Sequence, residues 1–227
     1  ENKLEDLITE KTVAIVPVHV YGNVCNIKKI QEIADKYDLK VIYDAAHAFG
    51  VKYMGHGVGC YGDASIFSFH ATKVFHTIEG GAVAFSEDSL YDTLYNLKNF
   101  GIQDEEYVAA VGANAKMNEF SAIMGLCNLN HIDRSIQERR LLSEEYEKEL
   151  KNIEGIQMFA KDRDVESNYA YFPILVSDHY PMDRDGLCAE LRKNNIYVRK
   201  YFYPLTSDAA CFHGKYRSCA LTNAKKL

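Results

Sequence analysis

Lys73 follows an apolar run, Ile66, Phe67 and Phe69, inside SIFSFHATKVFHTIEGG (65–81), and the paired Gly80–Gly81 closes the stretch. An isolated lysine is ordinarily a solvated surface charge. In a partly desolvated pocket its amine titrates low instead, and the neutral amine attacks carbonyl carbons to form a Schiff base. A second chemistry-bearing group lies upstream, where Asp44 ends LKVIYD (39–44) and is followed by Ala45, Ala46 and His47. Alone, such an aspartate reads equally well as a helix N-cap. Gly80–Gly81 reads as a bend or as a point where backbone must approach closely.

Taken together, these residues could serve a pyridoxal phosphate site. Such a site needs a reactive lysine and a carboxylate that keeps the pyridine nitrogen protonated. It also needs small residues under the ring, donors for the phosphate and a flat packing partner. Asp44, Ala45–Ala46, Ser68 and His47 could supply the last four beside Lys73.

Several elements must position these groups. TVAIVPV (12–18) is a continuous β-branched run, expected to be a strand buried on both faces. Asn26 can cap a helix to about Tyr37, with Ile27, Ile30, Ile33, Ala34 and Tyr37 as its buried stripe. LKVIYD is a second buried strand, so the three elements form a βαβ unit of a parallel sheet. Functional groups collect past the carboxyl ends of such strands, where Asp44 sits. The glycine-rich VKYMGHGVGCYGD (51–63) reads as a turn-rich loop or hairpin, not as a phosphate-binding GxGxxG. GAVAF (81–85) reads as a further buried strand, residues 86–99 as a helix, and Asn118 to about Leu150 as one long helix with a solvated charged face. Beyond it, IEGIQMF, YAYFPILV, GLCAELRKNNI and YVRKYFYPL alternate strand, strand, helix, strand, the pattern of a small α+β domain.

Composition narrows the function classes. The net charge of −6 over 227 residues opposes non-specific nucleic-acid binding, which needs a basic face. No apolar run reaches the length of a membrane span, and no signal peptide opens the chain. The six cysteines (25, 60, 127, 188, 211 and 219) form no CxxC pair and read as free thiols of a reducing cytosol. No HExxH or clustered carboxylate motif supports a metal site. Both ends have the look of a cut chain, with Glu1 entering an amphipathic segment at once and Leu227 following NAKK.

DAAHAFG (44–50) followed by SIFSFHATKVFHTIEGG resembles the DegT/DnrJ/EryC1/StrS family of pyridoxal-phosphate-dependent nucleotide-sugar aminotransferases. VPVHVYGN (16–23), GANAKMNEFSAIMGL (112–126) and NIYVRKYFYPL (195–205) extend the resemblance over nearly the whole chain. It implies an α/β type I pyridoxal-enzyme fold with a mostly parallel sheet. Residues 1–130 would be part of the large cofactor-binding domain, and 131–227 a linking helix with most of a smaller C-terminal α+β domain. The family's N-terminal part, with a phosphate-binding loop and a ring-stacking aromatic, would be lacking, so the chain reads as a fragment.

The resemblance also implies roles. Lys73 would hold pyridoxal 5'-phosphate as a Schiff base and then shuttle a proton as general base and acid. Asp44 would pair with the pyridinium nitrogen, His47 would lie beside the ring, and Ser68 would donate to the phosphate. Asn114 would reach the phosphate site of a neighbouring subunit, making the active unit a homodimer. Arg199, Tyr201 and Tyr203 are weaker candidates for the sugar nucleotide, since alternating aromatics on a strand are as often core. The implied reaction moves an amino group, usually from glutamate, to a keto-deoxysugar nucleotide such as a dTDP-4-keto-6-deoxyhexose, for surface polysaccharide or natural products. Some relatives are dehydratases with histidine in place of the lysine; Lys73 favours transamination. Two other readings stay open: a cofactor-independent Schiff-base lyase using Lys73, and a truncated, non-catalytic binding or regulatory module.

Overall fold

The computed structural model describes residues 1–212 and 221–224. The chain opens on β1 (Ala14–Ile15), α1 (Ile27–Tyr37) and β2 (Lys40–Asp44). Asn26 caps α1 as expected, its side chain accepting from the Lys29 N–H at 3.1 Å. Ile27, Ile30, Ile33 and Ala34 face Ile15, Leu39, Val41 and Tyr43 in one buried cluster. Each buried isoleucine, leucine or valine of the cluster contributes about 1.5–3 kcal/mol. Tyr37, assigned to the same stripe by spacing, is instead exposed at the last turn.

The hairpin of β3 (Lys52–Tyr53) and β4 (His56–Gly57) occupies the glycine-rich stretch, followed by β5 (Ala64–Ser68) and β6 (Gly81–Phe85). Among the described residues the main sheet runs β1–β2–β5–β6. β1 and β5 are both parallel to β2, whereas β6 is antiparallel to β5. The sheet is therefore mixed, with its parallel strands in the majority. Its register sets Asp44 opposite Ile66 and Ser68 opposite Gly81, so β2 and β5 deliver their ends to the same edge.

Two strands differ from the sequence reading for one reason, their place at the sheet's margins. The run 12–18 pairs regularly only over β1, with Val13, Val16 and Val18 exposed. In β6, Gly81, Ala82 and Val83 are exposed rather than buried. A β-branched run reports strand propensity, whereas burial depends on what lies alongside.

The helical half follows as α2 (Leu90–Lys98), α3 (Glu119–Leu129) and α4 (Ile132–Leu150). Asn118 caps α3, accepting from the Ser121 N–H at 2.9 Å. The expected single helix is broken at Asn130–His131, where the His131 N–H turns back to the Asn128 carbonyl at 3.0 Å. The remaining elements are β7 (Ile156–Met158), β8 (Val165–Glu166), β9 (Ile174–Val176) and α5 (Arg184–Lys193).

Two compact units result: Glu1–Tyr146 with Ala160–Phe172, and Glu147–Phe159 with Pro173–Leu227. The division falls inside α4, not at residue 130, and returns 160–172 to the first unit, where β8 pairs with β3. In the second unit β7 and β9 pair antiparallel, and Asp183 caps α5 by accepting from Gly186 N–H at 2.7 Å. YVRKYFYPL (197–205) forms no strand. Tyr203 lies instead beneath the Arg184 guanidinium, 4.7 Å from its ring centre, with the Lys200 ammonium at 5.6 Å. Cys25, Cys60, Cys127, Cys188 and Cys211 are free thiols, and Cys219 lies outside the described residues. Among the described residues no helix is long and apolar enough to cross a membrane.

Candidate active site

Asp44 is fixed through its backbone before its side chain does anything. Its N–H donates to Pro17 O at 2.9 Å, and its carbonyl accepts from His19 N–H at 2.9 Å. Ala45 N–H then donates to Ile66 O at 2.8 Å, tying the turn to β5. No helix follows, so the N-cap reading fails: Asp44 Oδ1 accepts from Ala46 N–H at 3.0 Å across a tight turn. The carboxylate thus stands half-buried at the strand end, beside buried Ala45 and Ala48.

Lys73 is presented by a closed loop. Phe69 N–H donates to Gly80 O at 2.8 Å and Thr77 N–H to Phe69 O at 2.9 Å, pinching the loop at its base. Phe75, two residues past the lysine, is buried against Phe49 and Phe69, with ring centres 4.4 and 4.9 Å away. The glycine pair is required by space: a Cβ on Gly80 would collide with Thr77 Oγ1, and one on Gly81 would meet Phe67 O at 2.7 Å. The close-approach reading of Gly80–Gly81 therefore holds. Gly125 of α3 does the same against Thr77 Cγ2 at 2.8 Å, letting the helix back the loop. Ser68 ends β5 half-buried, its Oγ accepting from His70 N–H at 3.4 Å, which leaves the hydroxyl proton to donate.

His47 joins the two halves. Its Nδ1 accepts from Tyr21 N–H at 3.0 Å, so in the neutral ring the proton sits on Nε2. Burial lowers its pKa below the ordinary histidine value, the Lys73 charge lowers it further, and Asp44 opposes both. Asp44 and Lys73 both lie near enough to His47 to act on its charge. The His47 ring lies 4.7 Å from Tyr171 and 6.3 Å from Tyr21, centre to centre, and Lys73 Nζ lies 3.5 Å from the Tyr171 hydroxyl.

Sequence reasoning missed the segment that closes this site. Asn168, fully buried, donates through Nδ2 to His47 O and Phe49 O at 2.9 Å each and accepts from Ala170 N–H at 3.1 Å. It locks the Asp44–Gly50 turn, and Tyr171 follows three residues later. The available signal was a lone asparagine just before the apolar run YAYFPILV. Asn114 does not join the group: it is exposed, its neighbours bonded to the end of α2 through Ala113 N–H to Leu97 O and Ala115 N–H to Lys98 O. Arg199, Tyr201 and Tyr203 lie in the second unit, where an Arg199 Nη donates to the Tyr201 hydroxyl at 3.0 Å.

The family model for the DegT/DnrJ/EryC1/StrS aminotransferases matches residues 1–227. The chain belongs to this family. Its members are pyridoxal-phosphate-dependent sugar aminotransferases. The chain is 43% identical over 225 residues to a dTDP-4-amino-4,6-dideoxy-D-glucose transaminase of Shigella dysenteriae, covering 99% of this chain and 61% of that protein. An Escherichia coli protein of the same name is 46% identical over 215 residues, covering 93% and 57%. Helicobacter pylori PseC, an aminotransferase involved in pseudoaminic acid biosynthesis, superposes with a TM-score of 0.90 at 27% identity, covering 98% of this chain and 61% of that one. The chain thus spans about three fifths of the length of the relatives it matches.

The residues present fit the family's cofactor. A half-buried carboxylate, a histidine kept neutral, a hydroxyl donor and a lysine amine surround one sheet edge, and the Gly80–Gly81 approach leaves no side chain there. That donor set matches a cationic pyridine nitrogen, a flat ring, a phosphate and an aldehyde, respectively.

Proposed function

We propose that this chain carries the lysine centre of an aminotransferase that adds an amino group, drawn from glutamate, to a dTDP-4-keto-6-deoxyhexose. The observation that carries this reading is the gathering of Lys73, Asp44 and His47 past the ends of β2 and β5, with His47 within reach of the charges of both the others. Bound pyridoxal phosphate supplies an electron sink for amino transfer. Lys73 would hold its carbonyl carbon, Asp44 its pyridine nitrogen, His47 its ring and Ser68 its phosphate. Asp44 does so as a carboxylate oriented by Ala46 N–H, and His47 as a neutral ring oriented by Tyr21 N–H. The Lys73 amine, once free, would take the proton from the α-carbon of the amino donor and, in the second half-reaction, deliver a proton to the former keto carbon of the sugar, a role for a base with a mobile stem.

The sugar and its C4 position are supported by the names of the two transaminases above, both for a 4-amino-4,6-dideoxyglucose linked to dTDP. Arg199, Tyr201 and Tyr203 are proposed contacts of the nucleotide. A homodimer that shares its sites is supported by exposed Asn114 and by the apolar residues Phe120, Ile123 and Leu126 that α3 leaves uncovered. Mass spectrometry of single-turnover amination over a panel of keto-sugar nucleotides tests the assignment. The dTDP-4-keto-6-deoxyhexose should gain the amino group fastest, and amination confined to 3-keto sugars would overturn it.

A further inference from the structure

We propose that Tyr171 is a positioning residue of this centre: its phenol oxygen holds the Lys73 amine beside His47. This rests on the reading of Lys73 as the reactive amine. Lys73 Nζ donates to the Tyr171 hydroxyl at 3.5 Å, while the Tyr171 ring lies against His47 at 4.7 Å and Tyr21 at 5.6 Å. The phenol is therefore placed by ring contacts on two sides, independently of the lysine. Its backbone is placed as well. Asn168 grips the carbonyls of His47 and Phe49 and accepts from Ala170 N–H, so the segment that locks the Asp44–Gly50 turn also delivers the phenol.

The lysine needs such a partner. Its ammonium rides on a four-carbon stem with many rotamers, and half-burial alone does not aim it. A hydroxyl suits both states of the amine, accepting from the ammonium and donating to the neutral form. At 3.5 Å the bond is long, so it orients the amine without trapping it. A carboxylate in that place would hold the amine charged.

The test uses the full chain without cofactor. Lysines are labelled briefly with acetic anhydride and read peptide by peptide, with Lys40 and Lys52 as internal references. Tyr171→Phe keeps the ring and removes the oxygen; Tyr169→Phe removes a nearby phenol that sits by Lys161. Tyr171→Phe should raise Lys73 labelling about two- to tenfold, the worth of one modest hydrogen bond. Tyr169→Phe should change nothing. Pyridoxal phosphate capture, followed by visible absorbance, should slow in Tyr171→Phe, because a released amine is no longer aimed. Unchanged Lys73 labelling, or an equal effect of Tyr169→Phe, overturns the proposal. Should all three lysines label faster, the variant has loosened the fold, and a carbon-13 label at tyrosine Cζ decides instead. The Tyr171 signal should then move on Lys73→Met, and a signal that stays put overturns the proposal. If wild-type chain captures no pyridoxal phosphate while Lys73 labelling still responds to Tyr171→Phe, the proposed function fails and the contact stands.

Discussion

At the scale of single residues, charge is set from behind as well as from the front. His19, whose N–H donates to the Asp44 carbonyl, is fully buried and stacked on Tyr43 with ring centres 4.6 Å apart. Its Nδ1 accepts from Cys25 N–H at 3.1 Å. Burial pulls its pKa down to about 4, with Asp44 opposing. The unfolded chain binds a proton here near the ordinary histidine value and the folded chain does not. Stability from this residue is therefore complete above about pH 6.5 and is lost as pH falls toward 4, on the order of 3 kcal/mol. Urea unfolding midpoints across that window should fall steeply in the wild type. They should fall less in His19→Asn, which keeps an acceptor for Cys25 N–H but does not titrate. Equal slopes would show that His19 does not titrate on unfolding. Asp44 and Ser68 could be placed from the sequence because each ends a strand run, whereas Lys73 and His47 were picked out by residue type beside those runs and by the family resemblance. Tyr171 was not, since nothing in its own neighbourhood says which turn it closes over.

At the scale of elements, the site depends on a segment that leaves its unit and comes back. The stretch 160–172 pairs β8 with β3 and buries Asn168 under the Asp44–Gly50 turn. Asn168→Ala would strand the carbonyls of His47 and Phe49 in the interior, each a loss of about 1–3 kcal/mol. We expect its unfolding free energy, from urea titration, to drop by about 2–6 kcal/mol in sum. A drop under about 0.5 kcal/mol, the scale of an ordinary surface substitution, would show that the clamp is dispensable. The βαβ unit of β1, α1 and β2 was readable because helical period and strand runs are local signals. The margins were not: β1 and β6 carry the residues of buried strands, yet sit where their outer faces meet no strand among the described residues. The break between α3 and α4 was also invisible, because an asparagine–histidine pair carries no strong stop signal.

At the scale of the whole chain, two compact units share α4, and the Lys73 centre belongs to the first of them. That unit holds the carboxylate, the histidine, the hydroxyl and the lysine together, while Asn114 stands apart on its surface and Arg199, Tyr201 and Tyr203 belong to the second unit. The chain spans about three fifths of its relatives' length, so the chemistry assigned to it is that of the lysine centre rather than of a whole active site. The most direct test of that centre is covalent trapping. The chain is incubated with pyridoxal phosphate, reduced with borohydride and digested, and each lysine peptide is weighed. One phosphopyridoxyl group should be found per chain, on the peptide that holds Lys73, and Asp44→Asn should diminish it. A label spread over surface lysines, or none on Lys73, would contradict the account.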